Sequence, residues 1–150
     1  MTDAYRSAPI PDPRGEGVVV VHCSDPRYQP HFNNFVRDGL KLDRYSLIAI
    51  PGGAQPLTLV EYLPKFAWSG WRWMKFLATL APLRQVVLIA HDDCRWYFEH
   101  GFVKQPEALR ARQIEDMRRT AAEIRERFGE VRVDCYIAAL GQDGTRFEKV

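Results

Sequence analysis

Two short segments hold most of the side chains able to do chemistry. Cys23-Ser24-Asp25-Pro26-Arg27 sets a thiol, a carboxylate and a guanidinium at alternate positions. His91-Asp92-Asp93-Cys94 places an imidazole three residues before a second thiol. Two thiolates and one imidazole are soft-to-borderline ligands of the kind that suit Zn²⁺. Three protein ligands with one position left open is the pattern of a catalytic zinc site, whereas structural sites close with four. The same letters also have a plainer reading, because Ser, Asp and Pro form ordinary turns.

For the two segments to act together, the elements before them must bring them together. Val18 to Val21 form an apolar β-branched run that predicts a buried strand over 18–23. "RQVVLIAHDDC" reads as another strand that breaks into polar residues at its end. Parallel strands of one sheet gather their carboxyl ends, which is where open α/β sheets bind ligands. Further strands are expected at "RYSLIAIPGGA", "VRVDCYIAAL" and "TRFEKV", with a glycine turn at Gly52 and Gly53 and another turn at "GQDG".

Helical spacing appears at Phe32, Phe35, Val36 and Leu40, in a segment whose end Gly39 weakens. It appears again over 107–128, where Ile114, Met117, Ala121, Ile124 and Phe128 make one stripe. The stretch from Leu57 to Leu83 reads as helix interrupted near Pro64 and near Gly70. Strands alternating with helices predict a single α/β domain over 17–150. Its mostly parallel central sheet is flanked by helices, with an antiparallel edge strand near the C-terminus. Residues 1–16, rich in proline, are expected to form an extended arm.

The chain has 150 residues, 46% hydrophobic and 27% charged, which is enough for one domain with a core. A net charge of +2 leaves no electrostatic footprint for nucleic acid or an anionic membrane, so neither is an expected partner. There is no apolar run of spanning length and no secretory signal, so a cytoplasmic protein is expected. Three cysteines make a poor disulfide framework. In a reducing compartment, thiols near histidines are better read as metal ligands or reactive groups. Cys135 is in phase with Val131, Val133 and Ile137 and reads as a core thiol.

The pair of motifs, C-x-D-x-R at one strand end and H-x-x-C at a later one, resembles the β-class carbonic anhydrases. The likeness runs from about residue 17 to the end. It implies a zinc ion held by Cys23, His91 and Cys94, with Asp25 and Arg27 as a carboxylate–guanidinium pair. It implies reversible hydration of CO₂ to bicarbonate through a zinc-bound hydroxide that Asp25 orients, while Arg27 pins Asp25 bidentately. An Asp25 released by Arg27 would instead close the zinc's open position. A homodimer or larger homo-oligomer is also implied.

The chain departs from the family pattern at Pro26, at "PGGA" and at Arg95. Two alternatives therefore stand beside the first: hydrolysis of carbonyl sulfide or carbon disulfide on the same scaffold, and a zinc-binding protein without catalysis. Around the motifs, His22 is expected to point away from Cys23, and Asp92 to cap the following element. Asp93 would support a ligand, Arg95 would attract bicarbonate or face solvent, and His31 and His100 are candidate proton carriers. Phe66, Trp68, Trp71, Trp73 and Phe76 read first as core and second as a subunit interface. The charges of the 107–128 helix, Glu115, Asp116, Glu123 and Glu126 among them, read as a solvated face.

Overall fold

Val18–His22 forms the first strand, β1, and all five of its residues are buried, as a strand covered on both faces of a parallel sheet must be. The computed structural model describes residues 4–9, 16–58 and 64–150. In it β1 pairs in parallel with β2 (Ser46–Ala49) on one side and β3 (Gln85–His91) on the other. β4 (Arg132–Gly141) runs parallel to β3, and β5 (Gly144–Lys149) returns antiparallel along β4. The order is β2-β1-β3-β4-β5. This is the expected class: one α/β domain with a mostly parallel sheet flanked by helices and an antiparallel edge strand.

Period-two alternation sorts the valines of β1 onto two faces. Val19 and Val21 join Val86, Leu88, Met74, Met117 and Ile124 in one core, under α3 (Pro64–Leu80) and α5 (Pro106–Phe128). Val20 joins Val87, Ile89, Tyr28 and Phe32 in the other, under α1 (Gln29–Asn34). α5 exceeds the expected 107–128 by one residue, with Pro106 in its first turn, where a missing N–H costs nothing. Among the described residues no helix is long and apolar enough to cross a membrane.

Several expectations need correction. The segment after β1 is an α-helix only to Asn34; a π-helical turn, Phe35–Gly39, follows, closed by the Leu40 N–H donating to Phe35 O at 2.9 Å. α3 runs unbroken through Gly70, and the reason is packing: a Cβ there would stand 2.3 Å from Cδ2 of buried Leu57. Gly70 serves the contact with α2 (Gln55–Thr58) and does not end a helix. The interruption expected near Pro64 corresponds to the start of α3, with residues 59–63 outside the described set. A short helix that periodicity did not predict, α4 (Arg95–Glu99), follows Cys94 directly. Of the N-terminal arm, residues 4–9 carry no helix or strand, and 1–3 and 10–15 lie outside the described residues.

Candidate metal centre

The parallel pairing of β1 with β3 brings both motifs to one edge of the sheet. Cys23 is the first residue past β1, His91 the last of β3, and Cys94 the N-cap of α4. Their ligand atoms all lie within 4.8 Å of one another, and all three residues are buried.

The imidazole is held from one side. His91 Nδ1 lies 2.6 Å from the carbonyl oxygen of Asp92, and a carbonyl only accepts, so Nδ1 carries the proton. Nε2 then presents a lone pair, and it is buried with no hydrogen-bond partner among the described residues. An orphaned buried nitrogen beside two thiols suits a metal ligand. The sulfur spacing agrees. Two sulfurs each about 2.3 Å from a tetrahedral Zn²⁺ stand about 3.8 Å apart, and Cys23 Sγ and Cys94 Sγ are 3.9 Å apart. The residues present fit a zinc ion.

Electrostatics are consistent with that use. Contact with Cys94 holds the Cys23 thiol well below the usual thiol range, while the same contact and burial push Cys94 up. Burial alone would lower the His91 imidazole, but the nearby Cys23 sulfur tips it upward. One sulfur of the pair, that of Cys23, is thus favoured as a thiolate, and a bound cation would have to displace the proton of the other.

Asp25 lies outside the three-residue cluster and faces Arg27. Its Oδ1 accepts from Arg27 N (3.0 Å) and Nε (3.1 Å), and its Oδ2 from NH2 (2.7 Å). These bonds from Arg27 hold the carboxyl below its ordinary range. Arg27 also binds Asp93, through NH1 at 2.7 Å and NH2 at 3.2 Å.

The remaining candidates separate cleanly. His22 packs its ring 4.5 Å from that of Phe32, while its Nδ1 lies 2.8 Å from the Cys23 carbonyl oxygen. Cys135 is buried in the core beside Ile137. Asp92 does not cap α4, because its Oδ2 accepts from Leu140 N at 3.0 Å and so ties the loop to β4. His31 is exposed on α1 and lies off the cleft. His100 lines it, with its ring centroid 4.0 Å from that of Trp96 and the planes tilted by 30°. The Arg95 side chain is 82% exposed, 3.6 Å from Glu99, so it reaches solvent at the cleft edge.

The cleft has a volume of about 680 Å³ and is lined by Cys23, Asp25, Arg27, Pro51, Cys94, Trp96 and His100, among others. Its apolar wall is built on the "PGGA" turn. Gly52 (φ 78) lies so close under Trp96 that a Cβ would stand 2.4 Å from the indole. The indole N–H donates to Gln55 Oε1 at 2.5 Å. The tight glycine turn beside the pocket is as the sequence reads; sequence reasoning missed its approach to Trp96 and the supports beneath the loops. Gln113 donates to His91 O at 2.9 Å. Gln29 donates to Cys23 O at 3.0 Å. Tyr97, three residues past Cys94, donates to Asp116 at 3.0 Å. Asp116 is fully buried and also ion-paired to Arg112, which corrects its reading as part of a solvated face. A signal existed: Gln113, Asp116 and Thr120 interrupt the apolar face of α5 at helical spacing.

No protein-family model matches the chain, and no curated protein matches it. Among solved structures it is similar to the β-carbonic anhydrase isoform I of Trichomonas vaginalis. Identity is 13% over 95% of this chain and 87% of that one, with a TM-score of 0.51. A mutant of the β-carbonic anhydrase CafD of Aspergillus fumigatus is also similar, at 16% identity over 99% and 94% of the two chains, with a TM-score of 0.47. The first likeness shows the fold: this chain has the architecture of the β-carbonic anhydrases, with a Cys-His-Cys group able to hold a metal ion at its sheet edge.

Proposed function

We propose that the protein binds one Zn²⁺ through Cys23, His91 and Cys94 and hydrates CO₂ reversibly to bicarbonate and a proton. The observation that carries this reading is a His91 Nε2 with no hydrogen-bond partner among the described residues, beside two sulfurs 3.9 Å apart whose residues, Cys23 and Cys94, line one cleft with Asp25 and Arg27. Zinc held there would supply a Lewis acid that lowers the pKa of a water molecule.

The chain's own residues do the orienting. Asp25 Oδ1 spends both acceptor sites on Arg27, whereas Oδ2 spends one and keeps one free. That free site accepts a hydrogen bond from the attacking oxygen and turns its lone pair toward CO₂. Arg27 fixes the carboxylate while this happens. The Pro51–Trp96 wall offers an apolar surface to a neutral linear molecule. It would serve carbonyl sulfide or carbon disulfide as well, which keeps hydrolysis of these as the second reading.

Metal analysis together with stopped-flow CO₂ hydration across pH tests the proposal. One zinc per chain with CO₂ hydration is expected. Zinc without hydration sinks the CO₂ reading, and release of sulfide from carbonyl sulfide then selects the second.

A further inference from the structure

Arg27 is gripped by two carboxylates. Its Nε and NH2 face Asp25, and its NH1 and NH2 face Asp93, so two edges of the planar guanidinium each meet one carboxylate. Asp93 is itself fixed. Its Oδ1 lies 3.3 Å from the hydroxyl of buried Tyr28, whose single proton is shared with the Asp92 carbonyl oxygen at 3.2 Å. Its backbone stands at φ 52, a conformation uncommon for a residue with a side chain. Glycine would adopt that turn freely, yet the position carries a carboxylate, and the carboxylate reaches Arg27. Strain of this kind persists where its surroundings over-determine it, and it clusters at functional sites.

Resting on the zinc reading above, we propose that Asp93 is a positioning residue. It anchors Arg27 so that the guanidinium holds Asp25 away from the metal and keeps one coordination position open. Asp93 acts through Arg27: its Oδ1 lies 3.7 Å from His91 Nδ1, too far for a hydrogen bond, so the support expected of it for a ligand is not direct. Without it, Arg27 has a single carboxylate partner and a side chain 52% exposed to water. The Asp25 carboxylate restrains one edge of the guanidinium, and only Asp93 restrains the other. Asp25 is then freer to turn and occupy the open position.

The test uses the cobalt(II)-loaded protein, whose visible spectrum reports ligand number, with azide as the probe of an open position. Wild-type protein is expected to bind azide with a spectral change. Asp93→Asn and Asp93→Gly are expected to keep one cobalt per chain and to bind azide about 10-fold or more weakly. The glycine variant suits the left-handed backbone, so folding does not limit the comparison. Adding Asp25→Asn to Asp93→Asn should restore azide affinity, because the group that would close the site is gone; a merely structural defect would not be rescued. Azide affinity equal to wild type in both single variants overturns the role of Asp93, as does a loss that Asp25→Asn fails to rescue. A wild type that takes up no metal overturns the zinc reading as well. Full azide behaviour without CO₂ hydration overturns only the assigned substrate.

Discussion

Cys23 and Cys135 are both buried thiols, and their surroundings give them opposite roles. Cys23 sits past a strand end with a second sulfur 3.9 Å away, and Cys135 sits mid-strand among apolar side chains. Replacing Cys23, His91 or Cys94 with alanine should each strip zinc, whereas Cys135→Ala should retain it, as read by metal analysis of the purified variants. Full zinc in Cys94→Ala would remove it from the ligand set. At Asp25 and Arg27 the expected outcome differs. Asp25→Asn and Arg27→Ala should keep zinc yet lower CO₂ hydration about 10- to 100-fold. The double variant should lose less than the product of the two, because both changes disrupt one hydrogen-bonded unit. Matching rates in both single variants across pH would return the segment to an ordinary turn.

At the scale of elements, one side chain adds to the β4–β5 ladder and one glycine permits the close α2–α3 contact. Asp134 on β4 is buried, which alone would raise its carboxyl. Donation from Lys149 on β5, then Arg132 and Gln85, outweighs burial and holds it below the ordinary value. A depressed folded-state pKa stabilises above the unfolded value of about 3.9, and that contribution is lost as pH falls through the folded value. Asp134→Asn should therefore reduce stability at neutral pH and flatten its decline in acid, measured by urea unfolding between neutral and acid pH. An unchanged acid limb would contradict this. Gly70→Ala should destabilise although alanine favours helix, because the added methyl meets Leu57. Overpacking of this kind costs about 1–3 kcal/mol. A stabilised variant would show that Leu57 moves aside freely.

Across the whole molecule, α3 carries an exposed apolar face. Phe66, Trp68, Trp73, Phe76 and Leu80 are about half or more exposed, and Leu47 on edge strand β2 is exposed nearby. Only Trp71 of the aromatic run is buried, donating its indole N–H to Leu57 O at 3.1 Å, so the core reading holds for that residue alone. Trp73, Phe76 and Leu77 line a groove with Leu47 and Ile50. A contact between two copies over this groove is the proposal for Trp73 and Phe76. Phe76→Glu is then expected to shift a dimeric wild type toward monomer in sedimentation velocity, with zinc content unchanged. A wild type that sediments as a monomer would end the interface reading.

The sequence alone determined the strands, the long helix and the two chemical motifs, because each is written in local terms: β-branched runs, a stripe at helical spacing, and ligand types at short spacing. It also carried His22 as a packed histidine, since alternation along a strand is fixed by the pleat. Only the tertiary structure decided what depends on residues distant in the chain. Gly70 lies in an unbroken helix because Leu57 fills the space where its side chain would be. Gln113 and Asp116 face inward because two loops above them need anchors. Asp93 meets Arg27 across 66 residues, and no local pattern encodes that meeting. Propensity and periodicity act over a few neighbours, whereas a metal site and its supports are assembled by strand order. Parallel strands place side by side residues that the chain keeps far apart.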